Sequence, residues 1–259
     1  MAGEILVERN GDIATVVLSA PERLNAMNLA MWQGIAETFA ALDAEEDLRC
    51  IVIRGAGDKA FAAGADIAEF AQERYDVESA ARYGAAMAAA LDNTINCRHP
   101  IVALIKGACV GGGLELVSCV DMRICGQSSR FGVPVKNLGL VVALNEMQAV
   151  AGLVGRAVAL EIVLEGRVFG AEEALQKGLV NRIVADDEVE TEAYATARRI
   201  AQGAPLVARW HKKFARRLTD PTPLSEDEIA ESYACFGTED FQIGYKAFLA
   251  KEKPKFTGR

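Results

Sequence analysis

The run HPIVALIKGACVGGG, residues 99–113, followed at once by LELVSCVDM (114–122), decides the fold. A proline opens a near-continuous apolar segment, the mark of a strand buried on both faces. Glycines close it, and LELVSCVDM starts a helix directly. The same grammar recurs upstream. RCIVIRG (49–55) is a short apolar strand ended by GAGD, and DIATVVLS (12–19) is a β-branched strand closed by Pro21. Between them, Trp32, Ile35, Phe39 and Leu42 recur at helical spacing from Asn28 onward, with Glu37, Asp43 and Glu45 off that stripe. Downstream, DMRICG and GLVNRIV read as strands, and 145–165 and 171–178 as helices. Strands alternating with helices give an α/β layered fold with buried strands.

After Asp186 the character changes. Helical patterns cover 188–202, 205–218, 224–235 and 238–251, broken by Gly203-Ala204-Pro205 and Asp220-Pro221-Thr222-Pro223. The chain thus divides into an α/β core over 1–186 and a helical region over 187–259, which packs on that core or on a neighbouring subunit.

Composition narrows the function. With 259 residues, 51% of them hydrophobic, the chain buries a sizeable core, and a net charge of −8 argues against nucleic acid as a partner. None of the six cysteines forms a C-x-x-C pair, so they read as small buried thiols in a reducing compartment. Two histidines, His99 and His211, are too few for a His-rich metal site, and no metal is expected. The start MAGEILVERN lacks the pattern of a secretory signal. The apolar stretch 147–164 is interrupted by Arg156, which makes it short and charged for a membrane span. The expectation is a soluble cytoplasmic protein, or an organellar form after removal of its transit peptide.

Two stretches carry chemistry: FAAGAD (61–66) and VGGGLE (110–115). Each sets small residues where two elements meet, then an acid. Glycines let another molecule approach the backbone, and N–H groups converging from two junctions make an oxyanion hole for a carbonyl that gains charge. The alternatives are plain: three glycines also make an ordinary turn, and Glu115 also serves as a first-turn acid that complements a helix dipole. Neither stretch fits a dinucleotide fingerprint or a P-loop.

The full set of motifs goes further. PERLNAMN (21–28), KAFAAGADIAEF (59–70), PIVALIKGACVGGGLELVSCVDMRI (100–124), FGVPVKNLGL (131–140) and AFLAKEKPKFTGR (247–259) occur in this order. Together they resemble the enoyl-CoA hydratase/isomerase (crotonase) superfamily, from about residue 5 to the C-terminus. The resemblance implies a spiral of ββα units, a C-terminal helical region used in forming trimers or dimers of trimers, and a place in fatty-acid metabolism. It implies an acyl-CoA thioester as substrate, with coenzyme A arriving as part of it and no permanently bound cofactor. By motif position, the N–H groups of Ala65 and Gly112 correspond to the oxyanion hole and Glu115 to an acid/base. Ala63 and Ile67 correspond to positions along the adenine or pantetheine path.

The chain also departs from the pattern. Hydratases of the family carry a second glutamate in F-x-x-P-E, and here FGVPV puts Val135 there, in register with Phe131 and Pro134. A drier pocket at Val135 is expected to raise the pKa of Glu115. Where a Gly-Ala-Gly-Gly-Thr stretch is common, the chain reads VVALNEM (141–147), which offers Asn145 or Glu146 either to the pocket or to a helix cap. A lysine that often meets the CoA phosphates is replaced by Ala68, which turns attention to Arg23 or to Lys253 and Lys255. Asp66 is expected to fix its loop by accepting backbone N–H bonds. Hydration of a 2-enoyl-CoA is the leading expectation. A single-carboxylate isomerase, decarboxylase or C–C hydrolase, or a weakly catalytic acyl-CoA-binding protein, are the alternatives.

Overall fold

The β-branched and apolar runs pair edge to edge in the computed structural model, which describes residues 3–259. The strands are β1 (Glu4–Asn10), β2 (Ile13–Ser19), β3 (Cys50–Gly55), β4 (Ala60–Ala62) and β5 (Ile101–Ile105). They continue with β6 (Ala108–Val110), β7 (Met122–Gly126), β8 (Arg130–Gly132), β9 (Phe169–Gly170) and β10 (Arg182–Val184). One sheet has the order β1-β2-β3-β5-β7-β10, parallel except for the β1–β2 hairpin. The other has the order β4-β6-β8-β9, with β4, β6 and β8 parallel.

Side chains of β3 and β5 alternate between two apolar layers, as the twofold period of a strand requires. Ile51, Ile53, Ile101 and Ala103 face the larger core, while Cys50, Val52, Val102 and Leu104 face the smaller one. The larger core is closed by α1 (Leu29–Asp43) and α3 (Val77–Asn96), which bring in Trp32, Ile35 and Phe39 and Tyr83, Met87 and Leu91. Between these helices lies the single turn α2 (Phe70–Glu73). The α1 start matches its sequence signal: the Asn28 side chain accepts the Met31 N–H at 2.8 Å.

The next helices are α4 (Gly112–Ser118), α5 (Leu144–Glu165) and α6 (Ala171–Gln176). The helical region supplies α7 (Val189–Ala201), α8 (Pro205–Arg217), α9 (Glu226–Glu231) and α10 (Glu239–Ala250). These spans follow the four sequence patterns, with the third shortened to α9 and a 3-10 turn over Ala234–Gly237. α7 lays Val189, Ala193, Ala197 and Ala201 over the large sheet and closes the smaller core. α8 is tied down by the Lys212 ammonium, which donates to the Asp121 carboxylate at 2.8 Å and to the His99 carbonyl at 3.0 Å.

α5 departs from the expectation for 147–164. Its 22 residues meet the length and hydropathy of a membrane span. It is nevertheless broken at Gly155 (φ 78°) and sends Val150, Ala159 and Ile162 into the core, so it packs on the α/β body. Five of the six cysteines are buried and all are unpaired, which agrees with the reading of small apolar thiols.

Candidate active site

The small sheet positions the site. Its parallel strands β4, β6 and β8 end at Ala62, Val110 and Gly132, so the segments that follow them emerge along one edge. These segments are FAAGAD from Ala63 onward, GGGLE, and VPV. The C-terminal edge of parallel strands is where such sheets present ligand-binding loops.

The first two junctions abut directly. A Cβ on Gly64 would sit 3.8 Å from the Gly112 nitrogen and 3.2 Å from the Val110 carbonyl, and Gly64 itself has φ +107°. Each glycine of the run has its own reason to lack a side chain. Gly111 takes φ +54°, a Cβ on Gly112 would lie 2.8 Å from the Trp32 ring, and one on Gly113 would lie 2.7 Å from the Ala62 carbonyl.

The Ala65 and Gly112 N–H groups take no part in the surrounding backbone bonds of the described residues. Ala65 bridges Met27 in parallel, and the bonds of that bridge are Met27 N–H to Gly64 C=O (2.8 Å) and Asp66 N–H to Met27 C=O (2.8 Å). The Ala65 N–H therefore faces away from the bridge. As the first helical residue, Gly112 has no intrahelical acceptor. Neither N–H meets a protein acceptor among the described residues.

Both open on a cavity of about 260 Å³ lined by Ala63, Ile67, Met87, Val110, Val135 and Val142 among others, and by three ionisable side chains: Glu115, Glu146 and Arg74. Glu115 projects from α4 and is 3% exposed; its carbonyl accepts the Cys119 thiol, while its carboxyl group accepts no hydrogen bond among the described residues. Burial pushes its pKa well up, the Glu146 charge adds to the rise, and Arg74 opposes it. Glu146 is also displaced upward, chiefly by burial, while its bond from the Ala143 N–H and the Arg74 charge pull it back. The Arg74 guanidinium lies 4.8 Å and 4.9 Å from the ring centroids of Phe70 and Tyr83 and has no carboxylate partner among the described residues. The rise expected for Glu115 is thus present, with desolvation as its leading cause.

Of the residues singled out by sequence, the fold gathers Ala63, Ala65, Ile67, Gly112, Glu115 and Val135 on this cavity. Asp66, Ala68 and Arg23 lie beside it. One Asp66 oxygen accepts the Ala68 N–H at 3.1 Å and the other pairs with Arg23, so Asp66 does fix the loop. The Arg23 side chain stays half exposed while so paired. Asn25 was not anticipated. It adopts φ 54°, accepts the Ala20 N–H at 3.0 Å and donates to the Ala56 and Ala60 carbonyls at 3.0 and 2.8 Å. It thereby anchors the loop that carries Met27 to Ala65. Its signal was an asparagine in a turn-rich stretch, one of the few side chains at ease in that region.

An edge of parallel strands, two free N–H groups and a buried carboxylate on one apolar cavity describe a site able to hold a carbonyl that gains negative charge. Comparison with known proteins gives that description a family. The family model described as Enoyl-CoA hydratase/isomerase matches residues 8–259, and the chain belongs to this family, the crotonase superfamily. It is similar to the probable enoyl-CoA hydratase echA8 of Mycobacterium tuberculosis, with 36% identity over 98% of both chains. It is also similar to the crotonyl-CoA hydratase of Syntrophomonas wolfei, with 32% identity over 98% of both. Among solved structures, an enoyl-CoA hydratase/carnithine racemase from Magnetospirillum magneticum superposes with a TM-score of 0.97. It shares 49% identity, over 98% of this chain and 96% of that one. The α/β architecture expected from the motifs is the architecture of this family.

Proposed function

We propose that the chain is an enoyl-CoA hydratase, which adds water across the conjugated double bond of a trans-2-enoyl-CoA. One observation carries the reading: the unpaired Ala65 and Gly112 N–H groups and the buried Glu115 carboxyl share one apolar cavity. The names of the relatives support the choice of hydration within the family.

The thioester oxygen accepts from the two N–H groups. As water oxygen bonds to C3, the electron pair of the double bond passes through C2 and C1 to that oxygen. Fixed donors aimed at the developing charge contribute most in a site that excludes water, typically about 10²–10³-fold for one donor. Water gives up a proton and C2 gains one, and Glu115 serves as an acid/base in this exchange. The apolar lining by Met87, Val110, Val135 and Val142 suits a hydrocarbon acyl group. The coenzyme portion meets Ala63 and Ile67, while Arg23, Asp66 and Ala68 border its path.

The working unit in this reading is a homotrimer or a dimer of trimers. Large apolar side chains of the helical region support it: Leu218, Phe248 and Leu249 are 70%, 81% and 72% exposed. Light scattering tests the assembly, and a stable monomer at assay concentration would refute it. Activity is tested by following the conjugated thioester absorbance of trans-2-enoyl-CoA substrates, with the product identified by mass spectrometry. A 3-hydroxyacyl-CoA product that disappears in Glu115→Gln is expected. Conversion to a shifted double bond instead would assign an isomerase.

A further inference from the structure

Adding water to a double bond needs one group to take a proton from water and another to give one to C2. Val135 leaves the customary place of the second group apolar. The cavity nevertheless has a second carboxylate. Glu146, on the first turn of α5, is 7% exposed and lines the same cavity as Glu115, Ala65 and Gly112. Its Oε2 accepts the Ala143 N–H at 2.8 Å, while its Oε1 has no protein donor among the described residues. Resting on the hydratase reading, we propose that Glu146 is the second carboxylate of the reaction, brought from the start of α5 to activate the water that adds to C3.

Three charged or titratable groups meet here: Glu115 from α4, Glu146 from α5 and Arg74 from the end of α2. Two like charges confined in one dry cavity resist ionising together, so the pair holds one proton at neutral pH. Glu146 is the better ionised member, because its carboxylate receives the Ala143 N–H whereas the Glu115 carboxyl receives no hydrogen bond among the described residues. Glu146 takes a proton from water as the C3–O bond forms, and the electron pair reaches the thioester oxygen at Ala65 and Gly112. Glu115 then gives its proton to C2 as that pair returns. A proton shift from Glu146 to Glu115 restores the starting pair, with no net gain or loss of protons. Environments that separate two carboxyl groups in this way are how acid and base roles are divided.

The competing explanation is that Glu146 only caps α5, through its bond to Ala143. Glu146→Gln separates the two, since glutamine at this position makes the same capping bond. The experiment compares wild type, Glu146→Gln, Glu115→Gln and Val135→Glu/Glu146→Gln. Each is followed by thermal unfolding, crotonyl-CoA hydration against pH, and exchange of the C2 protons of butyryl-CoA in heavy water. Glu146→Gln is expected to unfold no more readily than wild type and to keep C2 exchange, which needs only Glu115 and the N–H pair. Its hydration rate falls by about 10²–10⁴-fold and loses its dependence on ionisation of a base. The double variant, with a carboxylate at position 135, regains part of that rate. Undiminished hydration in Glu146→Gln, with Glu115→Gln inactive, would sink the Glu146 role alone. A wild-type protein that exchanges C2 protons but hydrates nothing would sink the hydratase reading and this inference together.

Discussion

Replacing Glu115 with glutamine is expected to cost activity and to add stability, in a manner that depends on pH. The carboxyl is raised from its ordinary value of 4.5 to about 8, first by burial and then by the Glu146 charge. In the unfolded chain it ionises near its ordinary value. A group whose folded pKa is raised contributes fully below the unfolded pKa, and that contribution is lost as pH rises toward the folded pKa. Between those limits unfolding releases one proton, so wild-type stability falls by about 1.4 kcal/mol per pH unit relative to the variant. From about pH 6 to about pH 7.5 the difference grows by about 2 kcal/mol. For a chain of this size that is a widening of roughly 4–8 °C in the Tm difference. Glutamine buries much as the neutral carboxyl does, so the variant keeps the packing of the protonated form. The assay is thermal unfolding of both proteins across that pH range, with hydration measured in parallel and expected to fall about 10²–10⁴-fold. Tm curves that stay parallel would refute the reasoning, because Glu115 would then titrate like an exposed glutamate.

Removing the Arg74 charge in Arg74→Met makes both cavity carboxyls harder to ionise, so both limbs of the hydration pH profile should move to higher pH; a shift the other way would refute its assigned electrostatic role. Gly112→Ala pushes a methyl against the Trp32 ring, which is expected to cost about 1–3 kcal/mol in denaturant unfolding and to reduce turnover more than binding of a saturated acyl-CoA. Asn25→Ala orphans the Ala20 N–H and takes a donor from the Ala56 and Ala60 carbonyls, for an expected loss of about 2–4 kcal/mol by the same unfolding assay.

The strands of the large sheet were legible because β5 is apolar over all five residues, β3 over its first four and β2 at every position but Thr15 and Ser19, which suits strands covered on both faces. β1 was not, because it is largely exposed and is held by its pairing with β2. The small sheet left no pattern either, since β4, β6 and β8 have three residues each, too few to show a period. Yet their shared edge sets the site, so the glycine-rich motifs were visible while the reason they meet was not. α3 also went unassigned, although Asp76 and Ser79 form a capping box at its start. The motifs singled out Glu115 and both N–H groups by family resemblance, and the fold brings all three to one cavity. Glu146 stood in the sequence as one of two residues available to the pocket or to a cap, and only the packing of α5 shows that it reaches both. Arg74 lay in no motif, and its place over the Phe70 and Tyr83 rings comes from folding α2 against α3.

A hydratase must place the oxygen of water on C3. Incubating trans-2-enoyl-CoA with the protein in heavy-oxygen water and reading the product by mass spectrometry tests this most directly. The predicted product is a 3-hydroxyacyl-CoA carrying one heavy oxygen at C3, formed by wild type and not by Glu115→Gln. A product without the label, or a substrate left unchanged despite tight binding, would contradict it.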